Sequence, residues 1–276
     1  MASTARFLWQ RLETYHGLIY FVPEADQRYT ALGLQPGVMG YFASRAAAMG
    51  PVAADVVVAT FFNFEPNRIR ELVPLAWQRT TAPALWQARL QAVDEALTRI
   101  LGSRLLAADI AETAALLRSI TAVCRPDGRP LFAGHLAQAW PDEPHLALWF
   151  ATALLREYRG DGHIAALTVE GVSGLEALVL HAATGAVPAA VLKATRGWSD
   201  DAWGEAVERL QTRSWLHDDL GLTPAGRQHR DRVERTTDEL AAAPWALLTE
   251  AQVSQVAALG KELSSAIVAA GTFPKR

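Results

Sequence analysis

Helical spacing of apolar residues continues along nearly the whole chain and constrains the fold more than any other feature of the sequence. In residues 84–101, apolar side chains recur every three or four positions, and Gly102 follows where a helix would stop. The same spacing returns in residues 105–123, 144–156 and 250–270. Neither a strand–helix–strand alternation nor a glycine-rich phosphate loop interrupts it. The pattern therefore predicts a mainly α fold.

The composition fits a folded protein of the cytoplasm. Half of the 276 residues are hydrophobic and 20% are charged, which is enough apolar material for a buried core. A single cysteine, Cys124, excludes an internal disulfide framework and a cysteine-based zinc site. Residues 1–10 lack a secretory signal pattern, and the apolar run 52–62 is shorter than a membrane span. We expect a cytoplasmic protein with no membrane partner.

A short β signal in the C-terminal half predicts a winged helix-turn-helix. Three predicted helices are followed by two short extended segments and a further helix, in residues 173–183, 188–195, 199–213, 214–217, 220–223 and 224–240. Three helices, a two-stranded wing and a closing helix are the order of that motif. Residues 222–227, LTPAGR, resemble the L-T-x-x-G-R motif at the wing of MarR-like transcription factors.

An internal repeat raises the question of a duplication. A shift of 135 residues aligns residues 50–60 with residues 185–195, and six of the eleven positions are identical. Alanine-rich helices also give such matches by chance, so the sequence leaves both explanations open. A duplication would make the chain a covalent pseudo-dimer of winged-helix units with short β-wings. We divide it into residues 1–125, residues 140–247 and a C-terminal helix, residues 248–276.

Five segments carry a resemblance to a known family, and they are residues 40–45, 59–64, 141–145, 155–163 and 196–198. They resemble a family of largely uncharacterised actinobacterial proteins that have a helix-turn-helix-like domain. The resemblance covers nearly the whole chain, and its most specific part is residues 155–163. It implies a mostly α-helical fold derived from the winged helix, and it brings no established reaction or ligand.

The predicted recognition helix opposes DNA binding. Its carboxylates are Asp200, Asp201, Glu205 and Glu208. A helix in the major groove lies between two rows of phosphates, which would repel these side chains. Trp203 and Leu210 of the same helix are better explained as core residues. The basic residues of the next helix alternate with carboxylates, as on a solvated surface. DNA is therefore a disfavoured partner.

A charged segment between two predicted helices is the main candidate site. It contains Arg156, Glu157, Arg159, Asp161 and His163. Two glycines, Gly160 and Gly162, would allow a tight connection between the helices that turns these groups inward. We predict His163 as a general acid or base that Glu157 and Asp161 tune. Either arginine would bind an anionic group. The alternative is a structural group of salt bridges.

Other candidates lie on helical faces near this segment or in the first half of the chain. His16, next to Glu13, is a catalytic candidate because it is the counterpart of His163 in the repeat. The candidates for substrate binding are His145, Trp149, Tyr41, Arg45 and Asn63. The alternative for His16 is an ordinary core histidine, and for His145 and Trp149 it is a partly exposed helix face. The alternative for the other three is hydrogen bonding at helix ends.

The sequence favours a small-molecule protein without a cofactor. No segment has the spacing of a metal motif such as H-E-x-x-H, although a mixed site of Asp161, His163 and Glu157 with His16 or His145 stays open. Residues 171–175 do not complete a G-x-S-x-G elbow. We predict a small-molecule-binding protein or a metal-independent acid/base enzyme of specialised metabolism that catalyses cyclisation, elimination or hydrolysis. The alternatives are a winged-helix transcriptional regulator and a DNA-modifying enzyme on tandem winged helices.

Overall fold

The computed structural model describes residues 3–273, which are almost entirely α-helical, so the prediction of a mainly α fold is confirmed. The helices are α1 Thr4–Gly17, α2 Pro23–Ala31, α3 Val38–Ala46, α4 Ala54–Phe61, α5 Pro66–Arg79, α6 Ala82–Leu101, α7 Ala108–Thr121, α8 Pro130–Leu136, α9 Pro144–Val169, α10 Gly174–Ala182, α11 Ala189–Arg196, α12 Asp200–Thr212, α13 Pro224–Trp245 and α14 Glu250–Ala269. Short 3-10 segments cover Leu18–Tyr20, Ala47–Met49 and Gly102–Leu106. Within residues 3–273, no single helix is both long and apolar enough to cross a bilayer.

Side-chain caps start several of these helices. The Ser3 hydroxyl accepts a backbone N–H from the first turn of α1. Ser173 and Glu176 form a reciprocal capping box at the start of α10, and Thr249 and Gln252 form another at α14. Each cap satisfies backbone donors that a helix leaves free at its first turn. Local sequence therefore fixes where these helices begin.

The helices of the two halves follow the same order. A shift of 135 residues places α3 on α10, α4 on α11 and α5 on α12, with boundaries that agree to within two residues. Helices α2 and α6 pack together in the first half, as α9 and α13 do in the second. The last helix of each half packs on the first helix of the other, α7 on α9 and α14 on α1. The two halves are thus joined by exchanged helices.

Three apolar cores correspond to this arrangement. The largest lies among α1, α2, α6, α7, α9 and α14, where Trp149 and Phe150 are fully buried. The second lies within α10 to α13 and contains Trp203 and Leu210, the two residues that the sequence assigned to a core. The third lies within α3 to α5 around Phe42. The helix groups α3 to α5 and α10 to α13 therefore each have a core of their own.

The predicted wing is reduced to one antiparallel bridge, between Leu216 and Leu222. The described part of the chain contains no β-strand, because the segment after Leu222 is already held as the cap of α13 by Thr223. Gly226, the glycine of the LTPAGR segment, packs against the Trp215 carbonyl, where a Cβ atom would overlap the oxygen. The motif thus closes the short turn against the first turn of α13.

Helix α9 is continuous through residues 156–163, so the prediction of a helix-to-helix connection at Gly160 and Gly162 is wrong. A Cβ atom at Gly162 would lie 2.8 Å from Arg129 Nη1 and 3.2 Å from Leu240 Cβ. The glycine therefore allows close packing against α13. Tertiary packing of this kind outweighs the cost of about 1 kcal/mol for a glycine inside a helix. Consequently this segment offers no free N–H groups of a helix start.

The turn between α4 and α5 packs directly against the turn between α11 and α12. The Glu65 N–H donates to the Arg196 carbonyl at 2.9 Å. The Trp198 indole N–H donates to the Asn63 carbonyl, also at 2.9 Å. These are the turns of the two helix-turn-helix regions, and each satisfies backbone groups of the other. The pairing fixes the two regions face to face.

Gly174, at the start of α10, permits this face-to-face packing, because a Cβ atom there would overlap the backbone carbonyl of Phe62. We expect Gly174→Ala to lower the free energy of unfolding by about 2–3 kcal/mol through overpacking. The matched control is Gly204→Ala in α12, where a Cβ atom meets nothing within 4 Å. That change should stabilise the chain by about 0.5–1 kcal/mol. Chemical denaturation measures both, and equal effects would contradict the packing.

Candidate functional site

Charged side chains meet in the interior, where α3, α6 and α9 come together. Arg45 donates to both carboxylate oxygens of Glu157, from Nε at 3.0 Å and from Nη2 at 2.8 Å. Arg156 Nη1 donates to the same carboxylate at 2.9 Å, and its Nε lies 3.7 Å from a Glu13 oxygen. Arg89 of α6 lies nearby and is fully buried. We call Arg45, Arg89, Arg156 and Glu157 the arginine cluster.

Glu157 is the central anion of the arginine cluster. Burial, its largest influence, opposes ionisation, but the charges of Arg156 and Arg45 outweigh it and hold the pKa of the carboxyl well below its usual range. Two arginines also occupy both of its oxygens. Glu157 therefore stays ionised and serves as a counterion, which leaves it unsuited to proton transfer near neutral pH.

Arg89 lacks a carboxylate partner, although its side chain is fully buried. Its Nη1 donates to the Ser44 hydroxyl at 3.3 Å and its Nη2 to the Tyr20 hydroxyl at 3.0 Å. The guanidinium also lies over the Trp149 ring, 5.4 Å from the centroid. Among residues 3–273, no partner satisfies its Nε and no carboxylate forms an ion pair with it. Arg89 thus carries a positive charge that no anion of the described chain contacts.

His16, at the end of α1, borders the arginine cluster and is fully buried. Its Nε2 lies 3.2 Å from the Tyr20 hydroxyl, and its ring stacks on Trp149 with centroids 5.9 Å apart. Burial, followed by the positive charge of Arg156, holds the pKa of His16 well below 6.5. The imidazole is therefore neutral at pH 7.

A cleft of about 360 Å³ opens beside the arginine cluster, between the Leu18–Tyr20 segment, α2 and α3. Apolar side chains form much of its lining, and its hydroxyl-bearing residues are Tyr20, Tyr29, Tyr41 and Ser44. The carboxylate residue Asp26, which accepts the Gly37 N–H at 2.8 Å, also lines it. Three of these hydroxyls contact the cluster, since the Tyr41 oxygen also accepts from Arg45 Nη1 at 3.2 Å. The rings of Tyr20 and Tyr41 lie 5.0 Å apart. The cleft therefore connects solvent with the buried charges through hydroxyl groups.

The structure brings some of the predicted site residues together here. Arg45, Tyr41, Arg156 and Glu157 share hydrogen bonds, and His16 and Trp149 form the adjoining wall. His163 lies elsewhere and faces α13, where its Nδ1 is 2.9 Å from the Thr237 hydroxyl. Burial lowers the pKa of His163 to about 4, and the charges that act on it are those of Glu234, Arg159 and Arg230. The proposed tuning by Glu157 and Asp161 has no support in this geometry, because the unbroken helix directs His163 away from them.

The remaining predicted residues make structural contacts. Arg159 lies within 3.4 Å of Glu234 and 3.7 Å of Asp238 on α13. His145 Nε2 lies 2.6 Å from an Asp94 oxygen on α6. Asn63 is in the turn that packs on α11 and α12. These contacts hold helices together at points away from the cleft.

Sequence reasoning missed Arg89, Tyr20, Tyr29 and Ser44. A signal for Arg89 was present, because it lies four residues from both Leu85 and Val93 and so on the buried face of α6. An arginine on such a face requires buried partners. The tyrosines gave no comparable signal, since aromatic residues at helical spacing are ordinary core residues.

The polar residues of the described chain are not arranged as a metal site. In residues 3–273, no three histidine, cysteine, aspartate or glutamate side chains converge as a group that could hold a metal ion. His163 faces α13 and His145 pairs with Asp94, so neither joins Glu157 in the mixed site that the sequence left open.

The fold is that of an α-helical protein in which α3 to α5 and α10 to α12 follow the same order and pack against each other through their turns. A family model described as a helix-turn-helix family matches residues 5–274. The chain therefore belongs to that helix-turn-helix family, and the helix-turn-helix assignment made from the sequence is confirmed. Searches of the curated proteins and of the solved structures gave no match.

Asp161 carries a pH dependence that can be measured. Its carboxylate accepts the Phe132 N–H at 2.9 Å at the start of α8, and burial raises its pKa from 3.8 to about 6. Because the folded state holds this proton more tightly than the unfolded chain, the free energy of unfolding should fall as the pH rises from about 4 to about 6.

We expect Asp161→Asn to stabilise the chain at pH 7 by about 1–3 kcal/mol, because the amide oxygen still accepts the N–H and the buried charge is removed. Below pH 4 the stabilisation should vanish, since the carboxyl is then neutral in both states. The control, Asp127→Asn, changes an exposed ion pair and should shift stability little at either pH. Denaturation at pH 4 and pH 7 tests this, and a pH-independent effect would contradict it.

Proposed function

We propose that the chain is a small-molecule-binding protein whose site is the cleft beside the arginine cluster. The observation that carries this proposal is the contact between the cleft and buried charges through the hydroxyls of Tyr20, Tyr41 and Ser44. Ligand sites typically combine largely apolar walls with a few convergent polar groups, in volumes of about 300–1,000 Å³. A cleft of about 360 Å³ with this lining fits that description.

We further propose that the chain consists of two winged-helix units that arose by duplication, and that the cleft belongs to the first unit while the adjoining arginine cluster lies at their junction. The equal order of helices in the two halves supports this, as does the exchange of α7 and α14 between them. Residues 1–125 and 140–247 would then be the units, and residues 248–276 would return to pack on the first. The arginine cluster joins the units, because Arg45 belongs to the first and Glu157 to the second.

Binding is favoured over acid/base catalysis at this site. A general acid or base works best with a pKa near the working pH. Glu157 is held ionised and His16 is held neutral, so neither is poised to exchange a proton at pH 7. Asp161, whose pKa is near 6, is engaged with the start of α8. These observations support a protein that holds its ligand unchanged.

A DNA-binding regulator is the second candidate, and membership of a helix-turn-helix family favours it. The two helix-turn-helix turns pack on each other, which opposes simultaneous access to DNA. The acidic side chains of α12 are exposed and would face phosphate. We expect no salt-dependent affinity for duplex DNA when binding is compared at about 50 and 200 mM salt. A fall in affinity of about a thousandfold over that range would support the regulator instead.

The cleft can be tested by filling it. Val38 lines the cleft at the start of α3 and lies outside the arginine cluster. We expect Val38→Trp to weaken binding of small aromatic probes (2-naphthoate and 2-naphthamide) by about tenfold or more, because the indole occupies the ligand volume. Val268→Trp, the same change at an exposed valine of α14, should leave binding unchanged. Calorimetric titration measures both, and equal binding by the two variants would overturn the proposed site.

A further inference from the structure

We infer that the cleft binds an aromatic carboxylate and that Arg89 is the residue that anchors its negative charge. This inference rests on the proposed function and adds the chemical class of the ligand. Its basis is the contact of a fully buried arginine, which lacks a carboxylate partner in the described chain, with Ser44 and Tyr20, two residues that line the cleft.

The charges of the interior do not balance without a ligand. Glu157 and Glu13 are the carboxylates that neighbour Arg45 and Arg156, so these four groups compensate one another. Arg89 remains as an additional positive charge, Arg196 adds another without an ion pair in residues 3–273, and an arginine does not lose its proton in a protein. A buried charge without a partner is costly, and a carboxylate in the cleft would supply the missing partner.

Hydroxyl groups next to Arg89 could donate hydrogen bonds to such a carboxylate. Tyr29 lines the cleft, and its buried hydroxyl lies close to Ser44 and Arg89 but forms no hydrogen bond of good geometry within residues 3–273. Ser44 accepts from the guanidinium and can donate its own O–H group, whereas the Tyr20 hydroxyl, which also accepts from Arg89, lies 3.2 Å from His16 Nε2. A carboxylate in the cleft would accept from these hydroxyls, with the buried Arg89 charge behind them. Because the Asp26 carboxylate also lines the cleft and would repel an anion, this lining suits a singly charged anion better than a phosphate.

Aromatic rings define the rest of the ligand. The rings of Tyr20 and Tyr41 line the cleft with centroids 5.0 Å apart and an interplanar angle of 59°. Phe21 also lines the cleft and is half exposed. Tilted aromatic walls of this kind favour contact with another planar ring. The ligand class that fits both features is a planar aromatic acid.

The second half of the chain does not repeat this arrangement. The 135-residue shift places Glu176 on Tyr41 and Val179 on Ser44. Glu176 lies 3.2 Å from Arg209, so its charge is already paired, and Val179 belongs to the apolar core of that half. We therefore expect one ligand per chain.

The test compares 2-naphthoate with 2-naphthamide, which has the same rings and no charge, by calorimetric titration of the full chain. We expect one naphthoate per chain, bound about tenfold tighter than the amide, because a charge-assisted hydrogen bond is lost in the amide. Arg89→Met should abolish the preference for naphthoate. Arg125→Met, at an exposed arginine, is the matched control and should preserve it.

A second variant keeps the test decisive if Arg89→Met does not fold. Tyr29→Phe removes a hydroxyl that forms no hydrogen bond of good geometry in residues 3–273, so it should leave the melting temperature unchanged while weakening naphthoate binding severalfold. If the unmodified chain binds naphthoate and naphthamide with equal affinity and Val38→Trp binds neither, the inference that the ligand is an anion is wrong. The cleft would then still be the binding site. Binding that Val38→Trp leaves intact would overturn the proposed function itself.

Discussion

The ion pair between Arg45 and Glu157 is the interaction on which the arrangement of the interior depends. It joins α3 in the first half to α9 in the second, and both side chains are almost completely buried. Breaking such a pair by removing one partner costs about 3–5 kcal/mol, because the other charge is left buried alone. Arg156 shares the Glu157 carboxylate, so that loss would leave two arginines uncompensated. The relative position of the two halves is therefore tied to the geometry of one carboxylate.

The same constraint sets the helix-turn-helix regions apart from a typical DNA reader. With α3 fixed to α9, the turn after α4 meets the turn after α11, and their backbone groups bond to each other. In a DNA-binding helix-turn-helix, the recognition helix must be free to enter the major groove. Here the start of each such helix adjoins the opposite half, and α12 carries acidic residues on its exposed face. The chain belongs to a helix-turn-helix family, and the acidic exposed face of α12 together with the contact between the two turns is the reason that the proposed function is not DNA binding.

Helical periodicity was sufficient to predict a mainly helical fold, but not the β-wings, which are reduced to one bridge, or the contacts that build the site. Sequence spacing predicted most of the helices, and it failed at Gly160 and Gly162 because packing against α13 outweighs their low helix propensity. Arg45 and Tyr41 stood out as polar residues in apolar stretches. Their partner Glu157 lies 112 residues away from Arg45, and no local pattern reports a contact over that separation. Arg89 could have been recognised from the sequence by its place on the buried face of α6. The cleft could not, because it forms only where α2 packs against α3.

The differences between the two halves indicate where specificity lies. In the proposed duplication, the shared order of helices supplies the scaffold. Equivalent positions that carry the same kind of residue in both halves cannot explain a site that exists in only one half. The 135-residue shift places Leu180, a core residue, on Arg45, and the paired Glu176 on Tyr41. One half thus buries apolar side chains where the other gathers arginines and hydroxyls. Since buried charge without compensation is selected against on stability grounds alone, its retention beside the cleft in one half is best explained by a ligand that compensates it.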